Sequence, residues 1–157
     1  MVSLLLRNLF FTVLQPGLVA GLIPYLIIKA KSKNTFAQPL HWHQYAGAIV
    51  LVFGFVVMVI CIASFAVKGR GTLSPADPTK QLVVSGLYKF SRNPMYIVVT
   101  MILMGEALFF QSADLWSYLL LVFFAFNAFI LLHEEPRLRR NFGEAYINYC
   151  KSVRRWI

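Results

Sequence analysis

Apolar residues fall along this chain in four long runs separated by polar segments. The runs cover residues 9–28, 45–67, 95–110 and 115–132. A helix needs about 20 apolar residues to cross a hydrocarbon core, and the third run, the shortest, reaches only about 24 Å at helical rise. Either this run spans a thinned bilayer, or it forms a helical hairpin with the fourth run across the polar turn at 111–114. The pattern therefore predicts an all-α, polytopic membrane protein with about four transmembrane helices.

The segment after the fourth run has a different pattern. Apolar residues recur at spacings of three and four, which is typical of one helix face; they are Leu138, Phe142, Tyr146, Tyr149 and Val153. Most of the neighbouring charges lie elsewhere on the same helix. The spacing predicts a basic, amphipathic C-terminal helix that rests at the membrane surface near anionic head groups.

Composition supports the membrane assignment and gives it an orientation. Hydrophobic residues make up 59% of the 157 residues, charged residues make up 13%, and the formal net charge is +9. In a chain this hydrophobic, the basic charge indicates membrane lipids and not nucleic acid as the partner. With four spans, twelve of the fifteen lysines and arginines fall on the side that holds both termini and the loop at 68–93. The positive-inside rule predicts that this side is cytoplasmic.

The first apolar run is interpreted as a retained span. Only Arg7 precedes it as a basic residue, and the run is longer than the apolar core of a signal peptide. Gln15, Pro16 and Gly17 in its middle predict a kink that serves packing, because proline removes a helical hydrogen bond.

Histidines and cysteines give little support to a metal site or a disulfide. His41 and His43 flank Trp42 in a loop that the orientation rule places outside, where such residues are typical of a membrane interface. No third ligand lies near them in sequence. Cys61 falls within the second run and Cys150 in the tail. We therefore expect neither a metal nor a disulfide framework.

The polar residues around the third run suggest an anion site. Asn93 and Pro94 are typical of a helix start, with asparagine as the cap and proline at the first helical position. Free N–H groups at such a helix terminus, flanked by Arg92, can bind a carboxylate or a phosphate. A plain helix cap at the membrane boundary explains the same residues.

Carboxylates at two further places require partners. Glu134 and Glu135 are adjacent where the chain leaves the fourth run, and two such acids repel each other unless a cation lies beside them. A ligand with an ammonium or sulfonium group would supply it, and so would nearby arginines. Glu106 lies inside the third run, where a carboxylate faces either a ligand or a structural hydrogen bond.

Two stretches together resemble a known group of enzymes. The motif "SGLYKFSRNPMY", followed about forty residues later by "EEPRLRRNFGEAYINYCKSVRRW", resembles the integral-membrane methyltransferases of the isoprenylcysteine carboxyl methyltransferase and phospholipid N-methyltransferase superfamily. The resemblance covers residues 80–156. It implies S-adenosylmethionine-dependent methyl transfer at the cytoplasmic membrane face, to a lipophilic small molecule or a lipid. The chain then forms a single membrane domain, 1–157, with two N-terminal spans in 1–67 and a cofactor-binding half in 68–157.

The resemblance also implies site residues. The positions that match cofactor-contacting positions of the superfamily are Lys80, Gln81, Leu82, Val83, Tyr88, Asn93, Pro94, Met95, Tyr96, Glu134 and Glu135. The candidate catalytic residues are Arg92, Asn93 and Tyr96. Glu106 and Tyr146 are further possible contacts, and Gly105, Glu106 and Ala107 loosely resemble a Gly-x-Gly motif of the phospholipid enzymes.

Two departures bear on the methyl acceptor. The eukaryotic isoprenylcysteine enzymes usually have histidine where this chain has Asn93, and an arginine on the last span where Ile130 stands. Isoprenylcysteine-like carboxylates and lipid head groups thus both stay open as acceptors. Two other functions are weighed beside methyl transfer, namely a small four-helix transporter that uses Glu106 and a noncatalytic membrane scaffold. The sequence indicates no particular oligomeric state.

Overall fold

A computed structural model describes residues 14, 16–29, 39–68 and 82–156, with the backbone alone for 64–68. Regular structure in these ranges is helical, without strands. We number the helices α1 to α5 in chain order: α1 at Leu18–Ile28, α2 at Trp42–Lys68, α3 at Pro94–Phe110, α4 at Ala113–Phe129 and α5 at Glu135–Ser152.

Two helical segments in the described ranges are long and apolar enough to cross a membrane. One is Trp42–Ala63, and the other belongs to the continuous helical stretch Ala113–Ser152, whose apolar part ends at Leu132. The helices Leu18–Ile28 and Pro94–Phe110 are apolar but shorter. The prediction of an all-helical chain with membrane helices is thereby confirmed for the described residues, and the four-span topology stays a prediction.

Helix α3 lies at the centre of the packing and crosses α2 through glycines. A Cβ atom on Gly105 would lie 2.8 Å from the backbone nitrogen of Leu51 and 2.9 Å from the carbonyl oxygen of Gly47. Small residues of this kind let helix backbones approach closely in membranes. Ala107, on another face of α3, is fully buried against Ile28 and Leu115. The small residues on either side of Glu106 therefore have packing roles.

The turn between α3 and α4 forms the predicted hairpin. Gln111 has a φ of 46°, which reverses the chain, and Ser112 directly precedes α4. Val99 and Leu103 of α3 then pack against Leu119 and Val122 of α4.

Helix α1 begins with a π-helical turn, Leu18–Leu22, directly after Pro16 and Gly17. An α-helical turn at Ile23–Ile28 follows, with Pro24 buried in the bundle. The backbone thus departs from α-helical geometry beside the predicted kink, while Gln15 lies outside the described residues.

The chain passes from α4 into α5 without a break. A π-helical turn, Ile130–Glu134, joins them, and Pro136 lies in the first turn of α5, where proline is tolerated. Gly143 interrupts α5 with a φ of 50° and a ψ of −126°, so the predicted tail helix has two halves. Its predicted apolar face is confirmed, because all five residues lie in one cluster with Leu82 and Cys150.

Candidate functional site

The segment that leads into α3 is shaped by turns. Gly86 has a φ of 66° and opens a 3₁₀ turn, Gly86–Lys89, that buries Tyr88. Asn93 is the N-cap residue of α3 and Pro94 its first residue, as predicted, but the Asn93 side chain makes no capping bond. Its amide nitrogen Nδ2 donates instead to the carbonyl oxygen of Arg155 at 3.1 Å. The predicted side-chain cap is wrong, because this bond orients the Asn93 side chain toward Arg155 and its oxygen accepts no bond from the first turn of α3.

Residues 153–156, which we call the C-terminal strap, lie against the start of α3. The backbone nitrogen of Arg92 donates to the carbonyl of Arg154 at 3.0 Å. The carbonyl of Arg155 accepts from Ser91 Oγ at 3.2 Å as well as from Asn93. Trp156 packs on Phe123 with ring centroids 5.4 Å apart. The C-terminal strap, which is not part of the α3–α4 hairpin, thus holds the Asn93 side chain and the Arg92 backbone in place.

Glu135 is the neutralised member of the carboxylate pair. It is buried, and it accepts from Arg155 Nε at 2.8 Å and Nη2 at 3.1 Å, while Arg92 Nη1 lies 3.3 Å away. Burial alone would raise the pKa of Glu135, but the hydrogen bonds from Arg155 and the charges of both arginines lower it. Arg92 also donates to Cys150 Sγ at 2.7 Å. Glu135 therefore holds the strap and the loop before α3 together.

Glu134 has a different environment from its neighbour. Its Oε2 accepts a hydrogen bond from the Tyr96 hydroxyl at 2.7 Å. Burial raises the pKa of Glu134, and the opposing effects of the Tyr96 hydrogen bond and the nearby Arg137 charge are smaller. The Tyr96 ring packs edge-on against Phe126 with centroids 4.8 Å apart. Glu134 is thus a largely desolvated carboxyl group that a tyrosine orients and that shares neither arginine of Glu135.

Tyrosines of α5 close the other side of the site. The Tyr149 hydroxyl donates to the carbonyl of Tyr88 at 2.5 Å. Burial raises the pKa of Tyr149 to about 12, so this donor keeps its proton at neutral pH. Tyr146 is only 2% exposed and packs in the same cluster as Leu82.

The structure brings most of the sequence-predicted residues to one end of the bundle. They are Leu82, Val83, Tyr88, Arg92, Asn93, Pro94, Met95, Tyr96, Glu134, Glu135 and Tyr146. Lys80 and Gln81 lie outside the described residues. Glu106 lies elsewhere, because it follows Tyr96 by ten residues in α3, which is about 15 Å at helical rise.

Sequence reasoning missed the partners that organise this end. Arg155, Ser91 and Cys150 all form contacts there, and although they lie within the two quoted motifs, none was among the predicted site residues. In the sequence, an acidic pair beside a basic tail indicates that an arginine neutralises one of the acids. The sequence does not show which arginine it is. Within the described ranges, no group of three or more His, Cys, Asp or Glu side chains is arranged to hold a metal. His41 and His43 stack on each other with ring centroids 5.5 Å apart.

Comparison with known proteins identifies the family of this chain. A family model described as phospholipid methyltransferase matches residues 42–145. The chain belongs to the phospholipid methyltransferase family. An uncharacterized protein of Haemophilus influenzae is 30% identical over 63 residues, which are 40% of this chain and 100% of that protein. No solved structure matches.

Membership of the phospholipid methyltransferase family fits the apolar helices and indicates a membrane methyltransferase. The matched residues include the loop before α3, the hairpin and both carboxylates. The strap lies beyond them, so the contacts of Arg155 are a feature of this chain that the family match does not supply.

Proposed function

We propose that this protein transfers a methyl group from S-adenosylmethionine to a lipophilic acceptor at the cytoplasmic face of the membrane. The observation that carries the proposal is the unequal pairing of the two adjacent acids. Glu135 is neutralised by Arg155 and Arg92, whereas Glu134 is half-buried, is oriented by Tyr96 and has a pKa that partial burial raises. A desolvated carboxylate of this kind gains most from a ligand that brings its own positive charge.

The residues present fit the cofactor. Glu134 would hold its ammonium group, and Tyr96 would keep the Glu134 carboxylate in one orientation. The aromatic faces of Tyr88 and Tyr96 favour a nearby cation. The N-terminus of α3 would bind the carboxylate of the cofactor. Leu82, Val83, Met95 and, outside the described residues, Lys80 and Gln81 would complete the contacts that the superfamily resemblance implies.

Methyl transfer from this cofactor requires the protein mainly to position the donor and the acceptor. When bound, S-adenosylmethionine supplies a methyl group already activated on a sulfonium centre. The protein has to align donor and acceptor and keep water away from them. Arg92, Asn93 and Pro94 would serve that alignment, because the strap fixes the backbone and the side chain at this point. A carboxylate acceptor needs no base, whereas an ammonium acceptor first has to lose a proton.

The orientation of the protein follows from its charges. In the four-span arrangement, both termini and the carboxylate pair lie on the cytoplasmic side, with twelve of the fifteen lysines and arginines. The acceptor reaches the site from the bilayer and the cofactor reaches it from the cytoplasm. An isoprenylcysteine-like carboxylate and a lipid head group are the two acceptor classes to screen.

The test is calorimetric titration of S-adenosylmethionine and its demethylated product into the protein purified in detergent. Glu134→Gln is expected to weaken binding at least tenfold, which corresponds to about 1.4 kcal/mol. Glu144→Gln is the matched control, because Glu144 is an exposed acid on α5, and it should bind like the wild type. If neither ligand gives a heat of binding or raises the Tm, the proposed methyltransferase function is wrong. Cofactor binding without turnover of any acceptor would favour the noncatalytic scaffold.

A further inference from the structure

Arg155 contacts two parts of the candidate site at once, with different atoms. Its guanidinium donates to the Glu135 carboxylate from Nε at 2.8 Å and from Nη2 at 3.1 Å. Its backbone carbonyl accepts from Ser91 Oγ at 3.2 Å and from Asn93 Nδ2 at 3.1 Å. The side chain of Arg155 thus binds the start of α5, while its backbone binds the residues that precede α3.

These contacts complete a closed network of three chain segments. The segment around the start of α3 is already joined to the two acids, because Tyr96 donates to Glu134 at 2.7 Å and Arg92 Nη1 lies 3.3 Å from Glu135. The strap joins both of these segments through Arg155. Each segment is therefore held by the other two, and loss of Arg155 would leave the acids and the start of α3 joined on one side only.

The pairing of Arg155 with Glu135 fixes direction as well as distance. Two N–H groups of one guanidinium donate to the two oxygens of one carboxylate, which is the bidentate geometry. The Glu135 side chain is only 9% exposed, so this pair is less screened by water than a surface ion pair. A lysine carries a point charge on a flexible stem and cannot form the fork. An arginine at position 155 therefore orients Glu135, whereas a lysine would only neutralise it.

Apolar contacts hold the strap on both sides of Arg155. Trp156 packs on Phe123 of α4 with ring centroids 5.4 Å apart. Val153, at the other end of the strap, is buried in one cluster with Tyr149. The backbone at Arg155 is thus anchored by its neighbours as well as by its own side chain. The charge at position 155 and the docking of the strap can therefore be changed by separate substitutions.

We propose that Arg155 is a positioning residue for cofactor binding, which holds Glu135 with its side chain and Asn93 with its carbonyl and so keeps Glu134 in place for the cofactor ammonium. This inference rests on the proposed function, and Arg155 acts through Glu135 and Asn93 without touching the cofactor. The strap lies beyond residues 42–145, which the family model matches. Because coupling between two binding events is reciprocal, bound cofactor stabilises the docked strap by the same factor.

The first measurement is calorimetric titration of S-adenosylmethionine into variants of the purified protein in detergent. Arg155→Ala should weaken binding at least tenfold, and Arg155→Lys should recover only part of the loss. Trp156→Ala, which leaves every charge in place, should also weaken binding. Arg140→Ala is the matched control, because Arg140 is an exposed arginine of α5, and it should bind as the wild type does. Wild-type affinity in Arg155→Ala, or full recovery by lysine, would overturn the proposal.

Hydrogen exchange follows the strap without any substitution. The Arg92 amide donates to the Arg154 carbonyl, whereas the Phe90 amide donates to the Leu87 carbonyl within its own turn. Exchange at Arg92 therefore reports docking of the strap, and exchange at Phe90 is an internal reference. Saturating S-adenosylmethionine should slow exchange at Arg92 at least tenfold more than at Phe90. Equal slowing at the two amides would overturn the positioning role even if every variant failed to fold.

The outcomes separate this inference from the proposed function and from folding. A wild-type protein that binds neither S-adenosylmethionine nor its demethylated product contradicts the methyltransferase itself. A wild type that binds, with equal affinity in Arg155→Ala, contradicts the positioning role alone. Helicity and Tm without ligand show whether each variant is folded. A purely structural role of Arg155 would lower the Tm of Arg155→Ala but leave the cofactor affinity of the folded variant and the response of Arg92 to ligand unchanged.

Discussion

The hydroxyl of Tyr96 donates to the carboxylate of Glu134 at 2.7 Å, across 38 positions of sequence. This bond ties the first turn of α3 to the π-helical turn that follows α4. Because both residues lie at the same end of the hairpin, the carboxylate is held in place before any ligand arrives. Preorganisation of this kind reduces the entropy lost on binding.

Replacing Tyr96 by phenylalanine tests how this hydrogen bond affects the pKa of Glu134. The Tyr96 hydrogen bond lowers the pKa of Glu134 against the larger effect of burial, so its loss raises that pKa further. Binding of the cofactor ammonium needs the ionised carboxylate, and it weakens as pH falls through the Glu134 pKa. We expect the pH at which S-adenosylmethionine affinity begins to fall to be higher in Tyr96→Phe. Titrations over a pH series measure this, and coincident profiles for the two proteins would contradict it.

The two adjacent glutamates should affect the stability of the ligand-free protein in opposite directions. Removing Glu135 leaves Arg155 and Arg92 without their partner, and loss of such a pair costs roughly 3 kcal/mol. Because the pKa of Glu135 is lowered on folding, its contribution is present above its ordinary value of 4.5 and lost as pH falls below it. Thermal unfolding of Glu135→Gln at neutral pH should therefore give a clearly lower Tm.

Glu134→Gln should leave the Tm of the ligand-free protein unchanged or raise it. The pKa of Glu134 is raised on folding, so its contribution to stability is present at low pH and lost as pH rises through that pKa. The difference between variant and wild type should therefore grow as pH rises above the ordinary carboxyl value of 4.5 and through the raised pKa of Glu134. A lower Tm for Glu134→Gln than for Glu135→Gln would contradict the assigned roles.

Gly105→Ala should loosen the crossing of α2 and α3. The new Cβ would meet the backbone of Leu51 and Gly47 at 2.8 and 2.9 Å, and backbone atoms cannot yield as a flexible side chain does. Overpacking of this kind costs about 1–3 kcal/mol. Gly21→Ala is the control, because no atom of the described residues lies within 4 Å of its added Cβ. Thermal unfolding in detergent compares them, and equal Tm values would mean that the helices do not approach this closely.

Gly143→Ala should destabilise through backbone conformation alone. The position has a φ of 50° and a ψ of −126°, while an added Cβ meets no atom within 4 Å in the part of the chain that the structure describes. Forcing a side chain into such a region costs about 1–3 kcal/mol. Glu144→Ala, at the exposed neighbouring position, provides the control. A Gly143→Ala protein as stable as this control would show that α5 runs straight through residue 143 in solution.

The helices and their order were predictable because apolar runs and turn residues act locally. The hairpin turn at Gln111, the start of α3 at Asn93 and the apolar face of α5 all follow from neighbours in sequence. Which of the two acids, Glu134 or Glu135, is paired with arginines was not predictable. It depends on helix rotation through a π-helical turn and on Arg155, twenty residues away in sequence, and neither leaves a local pattern. The interruption of α5 at Gly143 was not predictable either, because an isolated glycine also occurs within continuous helices.

The π-helical turn Ile130–Glu134 restricts how this protein can evolve. A π turn accommodates one residue more than an α-helical turn, so this turn already absorbs one extra residue between α4 and α5, and a second inserted residue would rotate α5 by about 100° relative to α4. The arginine partners of Glu135 would then face a different side chain. The exposed Leu131 and Leu132 can therefore be exchanged for other apolar residues, but a further residue inserted in the same stretch would separate Glu135 from its arginine partners.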